Sequence, residues 1–167
     1  MKFRTIVTLN IAFVFVLFWS SGCVSPTKLV ETGNYDTALS VAINRLAGKD
    51  HKKVEYIQAL ETAFSKATFS DLDVIDRLKM AGRAEDWPQI YELYTRIRRR
   101  QEQVQPLLPL VGKNGYRAQV SLTHTADLEQ EAREKSADFY YSRALNQLDQ
   151  GRKYGDKTAA RRAYDDL

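Results

Sequence analysis

Apolar side chains recur along most of this chain at steps of three and four. Tyr35, Ala38, Leu39, Ala42, Ile43 and Leu46 follow that spacing and make one face of a helix. Gly33 permits a tight bend ahead of it, and Asn34 can cap its first turn. A second helix is predicted over residues 52–67, with Val54, Ile57, Leu60, Ala63, Phe64 and Ala67 inward. Ser70-Asp71-Leu72-Asp73 has the arrangement of a capping box. A third helix therefore starts there in this reading, buries Val74, Ile75, Leu78 and Ala81, and stops at a left-handed Gly82.

The theme continues toward the C-terminus. Asp86 can cap a helix that tolerates Pro88 in its first turn and buries Trp87, Ile90, Tyr91, Tyr94 and Ile97. A longer pattern over 127–150 carries Leu128, Ala132, Ala137, Tyr140, Tyr141, Ala144, Leu145 and Leu148, with Gly151 expected to end it. Residues 157–167 put Ala160, Ala163, Tyr164 and Leu167 on one face. One segment departs from the helical period. Behind Pro106-Leu107-Leu108-Pro109-Leu110-Val111 and Gly112-Lys113-Asn114-Gly115, residues Tyr116, Ala118, Val120 and Leu122 alternate with polar ones. Alternation behind Asn-Gly predicts a small two-stranded β-hairpin insertion over 106–122, with an irregular loop as the alternative.

The stretch Gly33-Asn34-Tyr35-Asp36-Thr37-Ala38-Leu39 resembles the second helix of a tetratricopeptide repeat, Gly-x-Tyr-x-x-Ala-Leu. The Trp87 helix repeats the theme, with Trp87 in the place of Tyr35. The resemblance implies a mainly α fold, a solenoid of helix hairpins, over about two-thirds of the chain beyond its leader. Tyr35 and Trp87 stand 52 residues apart, where that family repeats about every 34. A generic helical bundle stays open as the alternative.

The N-terminus has a separate logic. Met1-Lys2-Phe3-Arg4 is positive, and residues 6–19 are apolar apart from Thr8 and Asn10. That run falls short of the roughly 20 residues needed to cross a bilayer as a helix and has the build of a secretory signal peptide. Ser20, Ser21 and Gly22 then lead to Cys23, the only cysteine in the chain. This segment resembles the lipobox of bacterial lipoproteins. The resemblance implies cleavage between Gly22 and Cys23 and acylation of the Cys23 thiol, which becomes the new N-terminus. Acylation also removes an unpaired thiol from an oxidising compartment. No acidic residue adjoins Cys23, which by the same resemblance favours the periplasmic face of the outer membrane. The expected organisation is a leader over 1–22, a lipidated spacer over 23–28 and a helical domain over 29–167.

Charge and composition narrow the chemistry. Losing residues 1–22 removes Lys2 and Arg4 and lowers the formal charge from +4 to +2. Such a chain offers no broad field for nucleic acid. Nine tyrosines against eight glycines and four prolines suit long helices with short joints. Gly112-Lys113-Asn114-Gly115 lacks the order of a phosphate loop. His51 and His124 are distant in sequence and make no zinc set with a lipidated cysteine. No Gly-x-Ser-x-Gly elbow is present. Carboxylate pairs such as Asp71/Asp73, Glu85/Asp86 and Asp165/Asp166 fall at expected helix starts and turns. Neither a cofactor nor a metal is implied.

Arg96, Arg98, Arg99 and Arg100 form the one local charge cluster. It is either a patch for anionic headgroups or an acidic partner, or a solvated helix end facing the negative pole of the helix dipole. The expectation is a non-catalytic, membrane-tethered module that holds another envelope protein or a peptide. The alternative is an envelope enzyme or carrier with a pocket between the helices and the hairpin. Arg161-Arg162-Ala163-Tyr164-Asp165-Asp166-Leu167 remains mid-pattern, so either a neighbouring molecule covers that last helix or further repeats follow.

Overall fold

A computed structural model describes residues 25–166; the lipobox residues Gly22 and Cys23 and the terminal Leu167 lie outside them. Six α-helices account for most of the described chain: α1 Pro26–Glu31, α2 Tyr35–Leu46, α3 Val54–Ala81, α4 Trp87–Val104, α5 Ala126–Tyr154 and α6 Lys157–Asp165. Short 3-10 turns, Ala84–Asp86 and Gln105–Leu107, flank α4. The fold is mainly α. Each helix packs on its sequence neighbour, and α1 also reaches α3.

Helix α1 already begins at Pro26, inside the stretch expected to be spacer. Glycine at 33 adopts φ 76°. Its amide donates to the Val30 carbonyl and that of Asn34 to the Leu29 carbonyl, a left-handed closure that needs no Cβ. Asn34 occupies the cap position of α2 without a side-chain cap bond.

The largest correction concerns α3. The capping box at Ser70–Asp73 does not open a helix; one helix of 28 residues runs through it. No glycine or proline interrupts 54–81, so the backbone ladder continues at no extra cost. The buried stripe also continues, through Ala67, Asp71 and Ile75 at four-residue steps. A carboxylate within that stripe made it look broken. At about 42 Å, α3 spans two cores. Its first half joins Ala38, Leu39, Ala42 and Leu46 of α2 with Val104 and Leu110. Its second half brings Ile75 to Ile90, Leu93, Tyr94 and Ile97 of α4 and Ala132 of α5. Gly82 ends α3 at φ 67°, as its sequence implies.

Helix α5 runs antiparallel to α4, because Glu129 meets Arg98 while Lys135 lies over the Trp87 ring at the start of α4. With 29 residues against 18, α5 overhangs that start. Helix α6 packs on the overhang, and Ala144, Ala159 and Ala163 are fully buried. Gly151 does not end α5; Gly155 does, at φ 66°. A Cβ at Gly151 would stand 3.1 Å from the Cβ of Ala160 and 3.1 Å from the Asp156 carbonyl oxygen. That glycine therefore serves close packing of α6. Asp156 caps α6 by accepting from the amides of Thr158 and Ala159 at 2.9 and 3.1 Å.

No strand forms among the described residues. The segment expected as a hairpin makes one antiparallel bridge, Val111 to Arg117. The Gly112 amide donates to the Tyr116 carbonyl at 2.7 Å and that of Ala118 to the Leu110 carbonyl at 3.0 Å. Beyond that bridge the segment bonds to helix side chains instead. Glu61 of α3 accepts from Tyr116 Oη at 2.6 Å and from the Gln119 amide at 2.8 Å, and Gln101 of α4 accepts from the Thr123 amide at 2.7 Å. Tyr116, Ala118 and Val120 still share a face, which lies on the first core.

Candidate functional site

The four arginines of the cluster lie within α4, with Val104 a full turn beyond Arg100, so they are not its final turn. Residues four apart share a helix face, and Arg96 and Arg100 both reach back to α3. Asp71 accepts from Arg96 Nε at 3.0 Å and from Arg100 Nη1. Arg100 also donates from Nε and Nη2 to Asp36 of α2, at 2.6 and 3.1 Å. Two guanidinium groups and two carboxylates thus join three helices around a small open depression of about 260 Å³.

Burial differs across this quartet. The side chains of Arg100 and Asp71 are 6 % and 7 % exposed, while those of Arg96 and Asp36 are 46 % and 62 % exposed. The hydrogen bonds from Arg100 hold the Asp36 carboxyl below its usual range, against the opposing effect of partial burial. Burial pulls the Arg100 guanidinium down, but its bonds to Asp36 and Asp71 outweigh that and leave it raised. Arg96 is raised by its bond to Asp71. The charges cancel within the quartet, so the arrangement acts as a neutral lock between helices.

Arg98 points elsewhere. Its Nε donates to Glu129 Oε2 of α5 at 3.0 Å and its Nη1 to Glu102 at 2.6 Å, and Thr95 Oγ1 donates to Glu129 at 3.0 Å. Arg99 is exposed and makes no ion pair among the described residues. The cluster therefore divides into three directions: inward to α2 and α3, across to α5, and out to solvent. Asp36, Asp71 and Glu129 were missed as its partners. The signal for Asp71 was its place four residues from both Ala67 and Ile75; nothing local marks Asp36 or Glu129.

The overhang of α5 presents a different surface. Tyr141, Leu145 and Leu148 are 57 %, 48 % and 41 % exposed and lie on one helix face by spacing. The sequence pattern placed them inward. They face out because α6, which runs from beside Gly151 to Arg143, covers the face of Ala144 and Gly151 and not theirs. Tyr164, expected inward on α6, is also exposed.

Between α3 and the segment after the Asn-Gly turn lies an open depression of about 610 Å³, lined by Gln58, Glu61, Thr62, Ser65, Lys66, Tyr116 and Gln119. Glu61 there is committed to Tyr116 and the Gln119 amide, and this bond raises the Tyr116 phenol above its usual value. Its role is to dock the segment. His51 and His124 are exposed, and no group of metal-binding side chains forms among the described residues. No described helix is long and apolar enough to cross a membrane. No protein-family model matches the chain, and no curated protein and no solved structure matches it either.

Proposed function

We propose that this chain is a lipid-anchored protein of the bacterial cell envelope and works as a non-catalytic interaction module. The observation that carries the reading is Cys23, alone in the chain and set behind an apolar leader and three small residues. Acyl chains contribute about 0.8 kcal/mol per buried methylene, so two or three anchor stably. Val24 beside the cysteine favours the outer membrane, with the helical body in the periplasm.

The body's part in this proposal is to hold another envelope protein or a peptide. Neighbour-on-neighbour packing of α2 to α6 supports a tetratricopeptide-like solenoid, whose ends and concave face present contact surface without a closed site. The Tyr141, Leu145 and Leu148 stripe, on the last helix pair, is the apolar contact such a partner would cover.

Intact-mass analysis of the chain from bacterial membranes tests the anchor. The expected product starts at Cys23 and carries diacylglycerol and acyl mass; a polypeptide cut elsewhere, or retaining its leader, overturns the reading. Co-purification from detergent-solubilised envelopes tests the module. A stoichiometric partner that is lost in a Tyr141→Ser, Leu145→Ser variant supports it, and a bound small molecule with no protein partner reverses it.

A further inference from the structure

The connection between α2 and α3 is rich in lysine, and the fold adds one more from far along the chain. Lys49, Lys52 and Lys53 lie in that connection. The Lys113 amide donates to the Lys52 carbonyl at 3.2 Å, bringing the Gly112-Lys113-Asn114-Gly115 turn onto it. Gly112 makes the approach possible: a Cβ there would stand 2.9 Å from Val54 Cγ2 and 3.2 Å from Ile57 Cδ1. The result is an open depression of about 670 Å³ lined by His51, Lys52, Lys53, Val54, Lys113 and Asn114.

Its charge is unevenly compensated. Asp50 and Glu55 are the acids carried by this connection and the start of α3. Glu55 stands 3.7 Å from Lys53. Lys52 Nζ donates to the Lys49 carbonyl at 2.9 Å, an acceptor without formal charge. Lys49 and Lys113 are exposed and make no ion pair among the described residues. The α4 arginines, by contrast, are mostly neutralised.

Position supplies the second argument. The turn at Gly33 folds α1 back on α2, with Leu29 and Val30 against the core that holds Leu39 and Leu46. Cys23 precedes Pro26 by three residues, a reach of about 10 Å at most. A tether that short keeps the start of α1, and with it the body, close enough to the headgroups for exposed cations to meet them.

We propose that Lys49, Lys52, Lys53 and Lys113 form the face that lies against an anionic phospholipid surface. The orientation argument rests on the anchored reading above. Lipid acylation supplies attachment, and the lysines set which side of the body meets the bilayer. Each lysine near an anionic bilayer strengthens partition about five-fold, an effect screened by salt.

The test uses the mature chain from residue 23, prepared without acyl groups, in flotation with vesicles of phosphatidylcholine alone or with phosphatidylglycerol added. Partition is expected only with phosphatidylglycerol, to fall with rising salt, and to drop about five-fold in each of Lys52→Gln and Lys113→Gln. Circular dichroism melts of the variants check that the fold is kept, and Arg99→Gln serves as the control that leaves partition unchanged. Equal partition into both vesicles overturns the proposal, as does partition that survives both lysine variants or falls with Arg99→Gln. Because these vesicles are offered to an unacylated chain, failure here leaves the anchor standing. An intact mass without lipid removes the anchor while leaving a positive flotation result to support the lysine face.

Discussion

Arg100 of α4 and Asp71 of α3 meet in a buried ion pair, 29 residues apart in sequence, with less than a tenth of either side chain exposed. Removing one member leaves the other buried with one remaining partner, Arg96 for Asp71 and Asp36 for Arg100, so the loss is that of charged hydrogen bonds, about 1.5–3 kcal/mol. Arg100→Met and Asp71→Ala are therefore expected to lower unfolding stability by about that amount. Arg99→Met, one position away and exposed, should stay within about 0.5 kcal/mol. Urea unfolding of the three variants decides it; equal midpoints for Arg99→Met and Arg100→Met would refute the lock.

The same quartet predicts an acid limb. Asp36 has a folded-state pKa below its ordinary 3.8. Such a group contributes stability that is fully present above the unfolded value and is lost as pH falls through the folded one. The advantage of the native chain over Asp36→Asn should be constant near neutrality and shrink on acidification below about pH 4. Thermal melts across that range give the readout, and a gap that widens with acid contradicts the assignment.

Continuity of α3 through Ser70 has its own consequence. A true capping serine loses about 1 kcal/mol on truncation. Ser70 is exposed and mid-helix, where alanine is the better helix former by about 0.5 kcal/mol. Ser70→Ala should hold or slightly raise the melting temperature. A clear drop would restore the break between two helices.

Gly112 is expected to tolerate no side chain. The beta-branched Val54 lacks the freedom to clear a Cβ at 2.9 Å, so Gly112→Ala should cost about 1–3 kcal/mol through overpacking. The turn should lift from α3, and amide exchange at Lys113 should accelerate as its bond to the Lys52 carbonyl loosens.

Sequence and structure agree where local patterning decides the outcome. Tyr35 to Leu46 reads as a helix and is one, because six apolar positions at helical spacing need only one face covered. Gly82 ends α3 for a reason contained in the residue itself, its ease at positive φ. The miss at Ser70–Asp73 arose because Ser70 and Asp73 read as a capping box, with Asp71 an acid of the same helix start. Only the arrival of Arg96 and Arg100 from the next helix makes a carboxylate acceptable in the stripe. The expected hairpin is reduced to one bridge, and side chains of other elements, Glu61 and Gln101, take the Gln119 and Thr123 amides that follow it.

By itself, then, the order of residues determined that this chain is helical, where α2, α4 and α6 begin, and where α3 stops. These depend on contacts within a few residues. Three matters waited for the tertiary structure. One was the division of the arginines among Asp36, Asp71 and Glu129. Another was the outward turn of Tyr141, Leu145 and Leu148 on a face of the overhang that α6 leaves uncovered. The last was the gathering of Lys113 with Lys49, Lys52 and Lys53. Each depends on which distant element arrives opposite a side chain, and periodicity along one helix carries no information about its neighbours.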